Sequence, residues 1–354
     1  YVTIDGSNNG TASQNLTIVN TQSDATATAV IWLASASASN GATNNTIKNS
    51  IVIGSGTTTT YGGVVSSSGT TLGNPALAAN SNNTYQNLIV HSVLRGIALV
   101  GLSTGDNSNT ITQWRTGSIV VAEKIGFRGI FVFNQTNVTI TNNTVLGITT
   151  TAGTNTDVPA GISIRGAIVN GVVASNVISD CKNTNTAGWV MHGITLQSTG
   201  SNTGLSVYNN FIHDIAGFGY DPNITDNGHG IGILSGGGYK IYYNSINLTT
   251  NQSEGNSAAI FIDNRASAGV TPSNLDIRNN IFANSQTSFV RYSIYSSAPA
   301  TAFTNINYND YYTAGATLGF LGAARTDLAD WQAATGADAN SVSVIPQFVS
   351  ATNL

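Results

Sequence analysis

The sequence predicts an all-β fold, a right-handed parallel β-helix (a single-stranded solenoid) of about 9–11 rungs with a short C-terminal helix and cap segment. Three observations predict it. A pattern of two short strands recurs about every 33 residues, inside the period range of solenoids and propellers. Within each short strand apolar and polar residues alternate, the mark of a half-buried β-strand. No segment sustains a 3.6-residue period, and there is neither a regular leucine comb nor a Trp-Asp signature, which removes helical repeats, leucine-rich repeats and propellers.

The first strand of each repeat opens on a small residue: Gly63, Gly96, Gly129, Gly161, Gly193, Gly230 and Ala259, followed by apolar residues such as Ile194 and Ile231. Glycine there marks a turn that a Cβ would crowd. The second strand carries Asn-x-apolar, anchored on Asn49, Asn87, Asn143, Asn176, Asn210, Asn244, Asn280 and Asn309, with Gly117-Ser118-Ile119 filling one gap. Asparagine tolerates left-handed backbone angles where one strand bends into the next, and stacked amides can bond along the coil.

Composition bounds the rest. Of 354 residues 38 are Gly and 6 are Pro, and only 8% are charged, against about 25% in an ordinary domain. The apolar residues fall at strand period, so the polarity does not mean disorder. A solenoid grows by adding rungs, so residues 1–354 read as one β-helix domain: N-terminal rungs over 1–60, regular rungs over 61–312, and a capping segment over 313–354. Net charge is −4 with no basic stripe, which argues against nucleic acid. Cys181 is the lone cysteine, so no disulfide forms within the chain. No apolar run reaches about 18 residues, so membrane insertion is not expected.

In chain order, YVTIDG, NLTIVN and AVIWL are opening strands, and a Ser/Ala/Asn/Gly loop leads to GATNNTIKNS. These stretches resemble the start of β-helix modules in very large secreted or cell-surface bacterial proteins, often of the type IX secretion kind. The overall pattern is similar to the pectate-lyase superfamily. The rung array follows, with insertions at 70–83, 149–159, 181–189, 217–227 and 249–256. Several fall between a second strand and the next first strand, so they are expected on one side, where solenoids often bind. At the end, TDLADWQAA reads as a helix over 326–334 with Thr326 as N-cap and Gly336 as its stop. NYNDYY, then DLADWQAATGADANS, then a Pro-x-Phe ending resemble the closing segment of such modules, with Ile345 where an Asp usually precedes that Pro. The resemblance implies secretion, a place at the bacterial surface, and a piece of a longer chain.

Chemistry in such a fold would come from outward residues on neighbouring rungs. The position before each first-strand opening reads Arg95, Arg128, Ala160, His192, His229 and Ala258. A shallow groove is expected around His192, His229, Arg165, Gln197 and Asp263, walled by the aromatic faces of Phe131, Phe133 and Phe261, a combination that suits a sugar. If the chain is an enzyme, His192, His229, Arg165 and Asp263 are its catalytic candidates. A lyase needs a base plus a cation or metal, and a hydrolase needs two carboxylates, for which Asp180 with Asp214 or Asp226 with Asp263 are the candidates. Register alone also stacks like residues about 4.8 Å apart, so the histidine pair carries a structural reading as well. No metal or cofactor is indicated: Asp157, Asp221 and Asp226 sit in loops without a repeated acidic motif, so a calcium ion is possible but not indicated. Thr139-x-Thr141 is read as isolated, and a threonine ladder for ice or mineral is set aside.

Scattered Lys and Arg disfavour an acidic polysaccharide substrate. The function expected is therefore a non-enzymatic β-helix module for adhesion, extension or glycan contact. Its partners would be an extracellular glycan or surface polysaccharide and neighbouring modules of the same chain. The alternative is a polysaccharide lyase or glycoside hydrolase on an extracellular glycan.

Overall fold

The computed structural model describes residues 1–154, 156–219, 223–266 and 268–353. The fold is all-β, a parallel β-solenoid of about nine turns with one short helix near the C-terminus. The chain divides into two compact units, residues 1–149 with 161–177, and residues 150–160 with 178–354.

In the first unit the strands Thr3–Asp5, Thr46–Ile53, Thr84–His91, Thr110–Thr112 and Thr139–Thr141 pair in parallel, one per rung. Their central residues Ile47, Tyr85, Ile111 and Ile140 are buried in the coil. The flanking residues face outward, and Thr3, Thr46, Thr84, Thr110 and Thr139 stand in one register column. Thr139-x-Thr141 is thus not isolated: Thr110-Ile111-Thr112 lies directly beside it, with the Thr112 and Thr141 hydroxyls 3.4 Å apart. A second array joins Asp24–Ser35, Thr60–Ser68, Val93–Val100 and Ile125–Thr136.

The second unit repeats the plan. Met191–Ser198, Gly228–Ser235, Ser257–Ile262, Arg291–Ser296 and Gly319–Leu321 form one parallel array, with Ile194, Ile231, Ile260 and Ile294 in register in the core. The opening glycines face that core: a Cβ on Gly193 would stand 2.4 Å from Ile212 Cγ2 and 2.6 Å from Gly230 O. The register read from the first strand of the sequence therefore holds within each unit.

The asparagine ladder stands at the expected anchors Asn143, Asn176, Asn210, Asn244, Asn280 and Asn309, but the left-handed angle does not fall on them. In the second unit the backbone N–H groups of Asn210, Asn244 and Asn280 each donate to the side-chain Oδ1 of the next ladder asparagine, at 3.1, 3.0 and 3.1 Å. Nδ2 of Asn244, Asn280 and Asn309 reaches back to the carbonyls of Val207, Ile241 and Ile277 at 2.9 to 3.0 Å. Both faces of each buried amide are used, and losing one would cost about 1–3 kcal/mol. The left-handed angle belongs to the residue before: Asn142, Ser175, Asn209, Tyr243, Asn279 and Tyr308 all have φ between 53° and 60°. Asn49 and Asn87 also sit at that left-handed place, so the ladder positions on their rungs are Ser50 and Leu88. The gap is filled by Gln113 and Trp114, not Gly117: Trp114 N–H donates to Asn143 Oδ1 at 2.9 Å.

At the C-terminal end Asn309 N–H donates to Ser341 Oγ at 2.8 Å. Asp338, buried, accepts from Tyr311 OH and Trp331 Nε1, both at 2.7 Å. The helix runs Leu328–Thr335, and its N-cap is Asp327 rather than Thr326: the Asp327 carboxylate accepts from Asp330 N–H. Gly336 ends it in a left-handed conformation, as expected.

Candidate functional site: a three-loop cleft

Three of the insertions meet in the second unit and enclose a cleft of about 380 Å³. Lys182, Asn183 and Thr184 come from the first, Gly217 and Phe218 from the second with Ala216 of the strand before it, and Thr250, Asn251, Gln252 and Ser253 from the third. Each follows a strand of the repeat, which brings the loops to the same side. Gln252, buried, ties them together by accepting from Gly217 N–H at 3.2 Å and Gly228 N–H at 2.6 Å. The third loop is latched to the second through Glu254 N–H to Phe218 O at 2.8 Å and Ser253 Oγ to the same carbonyl at 2.7 Å.

Lys182, the charged residue lining the cleft, is paired beside it. Lys182 Nζ binds the Asp214 carboxylate, and the Thr250 hydroxyl donates to the same group. Asn251 exchanges two hydrogen bonds with Thr287, at 2.8 and 3.0 Å. What faces solvent is one aromatic side chain, half-buried Phe218, amid hydroxyls and amides. Such a surface can stack on an apolar sugar face and bond its hydroxyls.

The residues singled out in the sequence divide between the units. His192 and His229 are in register, with ring centroids 5.4 Å apart, but both are fully buried. Val158, Val190, Leu234, Ala258, Phe261 and Tyr292 form the buried cluster there, with Ile224 packed against it. His229 Nδ1 accepts from Ala258 N–H at 3.0 Å, and its Nε2 donates to Ile224 O at 2.9 Å, so the ring is a fixed neutral tautomer. Burial holds the His229 imidazole down at about 4. Burial, helped by the His229 and Arg265 charges, holds His192 well below the usual histidine range. His192 Nδ1 pairs with Thr195 Oγ1 at 3.1 Å, and the ring fills the space over Gly232.

Phe261 stacks on His229 at 4.5 Å and is buried, so it offers no wall to solvent. Asp263 is buried and ion-paired to Arg265. Gln197 is buried, and a bulge after Leu196 aligns it with Ser235 rather than Leu234. In the first unit Phe131 is buried beneath Leu72 and beside Ala98, with partly buried Phe133 against the same cluster, and Arg165 is half-buried. The open groove expected from these eight residues is therefore corrected: Phe131, His192, Gln197, His229, Phe261 and Asp263 are buried, and only Phe133 and Arg165 are half-buried. Of the carboxylate candidates, Asp180 and Asp214 do occupy equivalent left-handed positions, with φ of 49° and 54°. Asp226 is engaged by Asn223 Nδ2 at 2.8 Å. Among the described residues no three of His, Cys, Asp and Glu converge as metal ligands; Asp221 lies outside the described residues. No described helix is long and apolar enough to cross a membrane.

Sequence reading missed Phe218, Thr184 and Asn251. The insertion pattern pointed to their side of the coil, yet nothing in the loops themselves repeats. The chain matches no family model, no curated protein and no solved structure.

Proposed function

We propose that the chain is a non-enzymatic β-solenoid module that makes contact with neutral extracellular glycans, within a large secreted or surface-attached bacterial protein. The observation that carries this reading is the three-loop cleft: Lys182, the charged residue lining it, is paired with Asp214, leaving Phe218 with hydroxyls and amides. A neutral sugar needs that lining, and a uronate would need an unpaired cation. The opening stretch YVTIDGSNNGT and the closing DLADWQAATGADANS, similar to pectate-lyase-like modules of type IX cargo, support the secreted, multi-module setting. The lyase or hydrolase alternative is weakened by the covered histidines, since a general base must reach its substrate proton.

A glycan array run beside a polysaccharide-degradation screen, with and without calcium, tests the proposal. Binding of neutral oligosaccharides without new reducing or unsaturated ends is expected, and Phe218→Ala should weaken it about tenfold, the loss of one stacking platform. New chain ends would make the protein an enzyme. No binding at all would leave only an extension role.

A further inference from the structure

We infer that a second surface of the same unit, the exposed turn preceding the asparagine ladder, binds an extended, β-linked neutral polysaccharide, with Tyr243 and Tyr308 as stacking platforms. This rests on the glycan-contact reading and deepens it by naming the ligand's geometry. The turn residues are Asn209, Tyr243, Asn279 and Tyr308, with φ of 53°, 54°, 57° and 60°. In both residues the Cβ crowds the following carbonyl, but asparagine's short amide offsets the cost by local hydrogen bonding and a tyrosine ring does not. The fold recovers nothing visible from the rings. They are 59% and 54% exposed, and among the described residues neither ring packs on another nor does either hydroxyl form a hydrogen bond. Backbone strain held at an exposed aromatic points to a use outside the fold.

The spacing says what kind of use. Asn209 N–H to Tyr242 O, Tyr243 N–H to Arg278 O and Asn279 N–H to Asn307 O, at 3.2 to 3.4 Å, put the four residues on consecutive rungs. Rungs stand about 4.8 Å apart, so the two rings lie two rungs apart with an amide between them. In an extended β-linked chain every second sugar presents the same face. A ring on every second rung would stack on alternate sugars, and the intervening asparagines would meet the hydroxyls of the others. On the flank Arg278 lies over the Tyr242 ring at 4.9 Å and bonds Asp276 at 2.7 and 2.8 Å, and exposed Lys240 stands in register with Asp276. Tyr208 stands in register with Tyr242 and widens the aromatic surface. Aromatic faces with amides between them complement a neutral chain.

The test is retention on insoluble cellulose, chitin and β-mannan, with wild type against the double substitution Tyr243→Asn, Tyr308→Asn. The replacement is the residue neighbouring rungs already use, so the thermal midpoint should hold or rise while retention on at least one polymer falls about tenfold or more. Equal retention of the double variant overturns the inference. If soluble oligosaccharides bind through Phe218 and none of the polymers is retained, this inference fails and the cleft reading stands. If nothing binds, both fail.

Discussion

Arg95 and Arg128 in the first unit and His192 and His229 in the second hold the same place in the repeat, the residue before the strand-opening glycine. Each pair is in parallel register, yet they are stabilised differently. The arginines alternate with aromatic rings: Arg95 lies 4.4 Å over Tyr61, and Arg128 lies 4.7 Å over both Phe127 and Phe131. The histidines are neutral, sealed under apolar loop residues, and His229 is bonded to backbone at both nitrogens. Parallel register puts like beside like without regard to chemistry, and what covers the column decides what it can do. A stack of titratable residues in a solenoid is therefore evidence of register first.

The contrast breaks most strongly at His229. Substitution His229→Ala strands the Ala258 N–H and the Ile224 carbonyl and opens a cavity beside Phe261. Chemical denaturation should show a loss of about 3–4 kcal/mol. A loss below about 1 kcal/mol would mean the ring is not a structural tie.

Acid should separate the columns next. His229 titrates in the folded protein at about 4, below the ordinary 6.5. Between those values the unfolded chain binds more protons, so stability is full above about pH 6.5 and falls as pH drops toward 4. The loss at pH 4.5 is on the order of 2 kcal/mol. Denaturation midpoints at pH 7.5 and 4.5, compared between wild type and His229→Gln, check this: the variant should show the shallower dependence. The smallest effect is Arg95→Lys, which keeps the charge but loses the flat guanidinium over Tyr61, about 0.5–1 kcal/mol by the same assay. No change there would reduce the stacked arginine to a register coincidence.

Much of this was legible in the sequence, for a physical reason. A strand that must face a coil core repeats its Gly-Ile alternation on every rung, so Gly193 and Gly230 could be aligned residue by residue. The ladder was legible as a class but slipped by one at Asn49 and Asn87, because asparagine suits both the left-handed turn and the ladder place beside it. Thr326 and Asp327 are both good caps in sequence; the Asp327 carboxylate accepts from Asp330 N–H and decides it. The covered histidines were misjudged as open because Val158, Val190 and Ile224 come from loops, whose residues follow no period. The cleft was half legible: insertion positions predicted its side, while Phe218 carries no pattern that marks an aromatic for binding.

The histidine column is structural, and the proposed glycan contact lies elsewhere. Nitrogen-15 NMR of the imidazoles across pH, repeated with a saturating neutral oligosaccharide, tests it most directly. The account predicts that His229 remains a single Nε2–H tautomer down to about pH 5 and that its signals do not move with sugar. His192 or His229 titrating near 6.5, or shifting when sugar is added, would open the column to solvent or ligand and contradict its structural role.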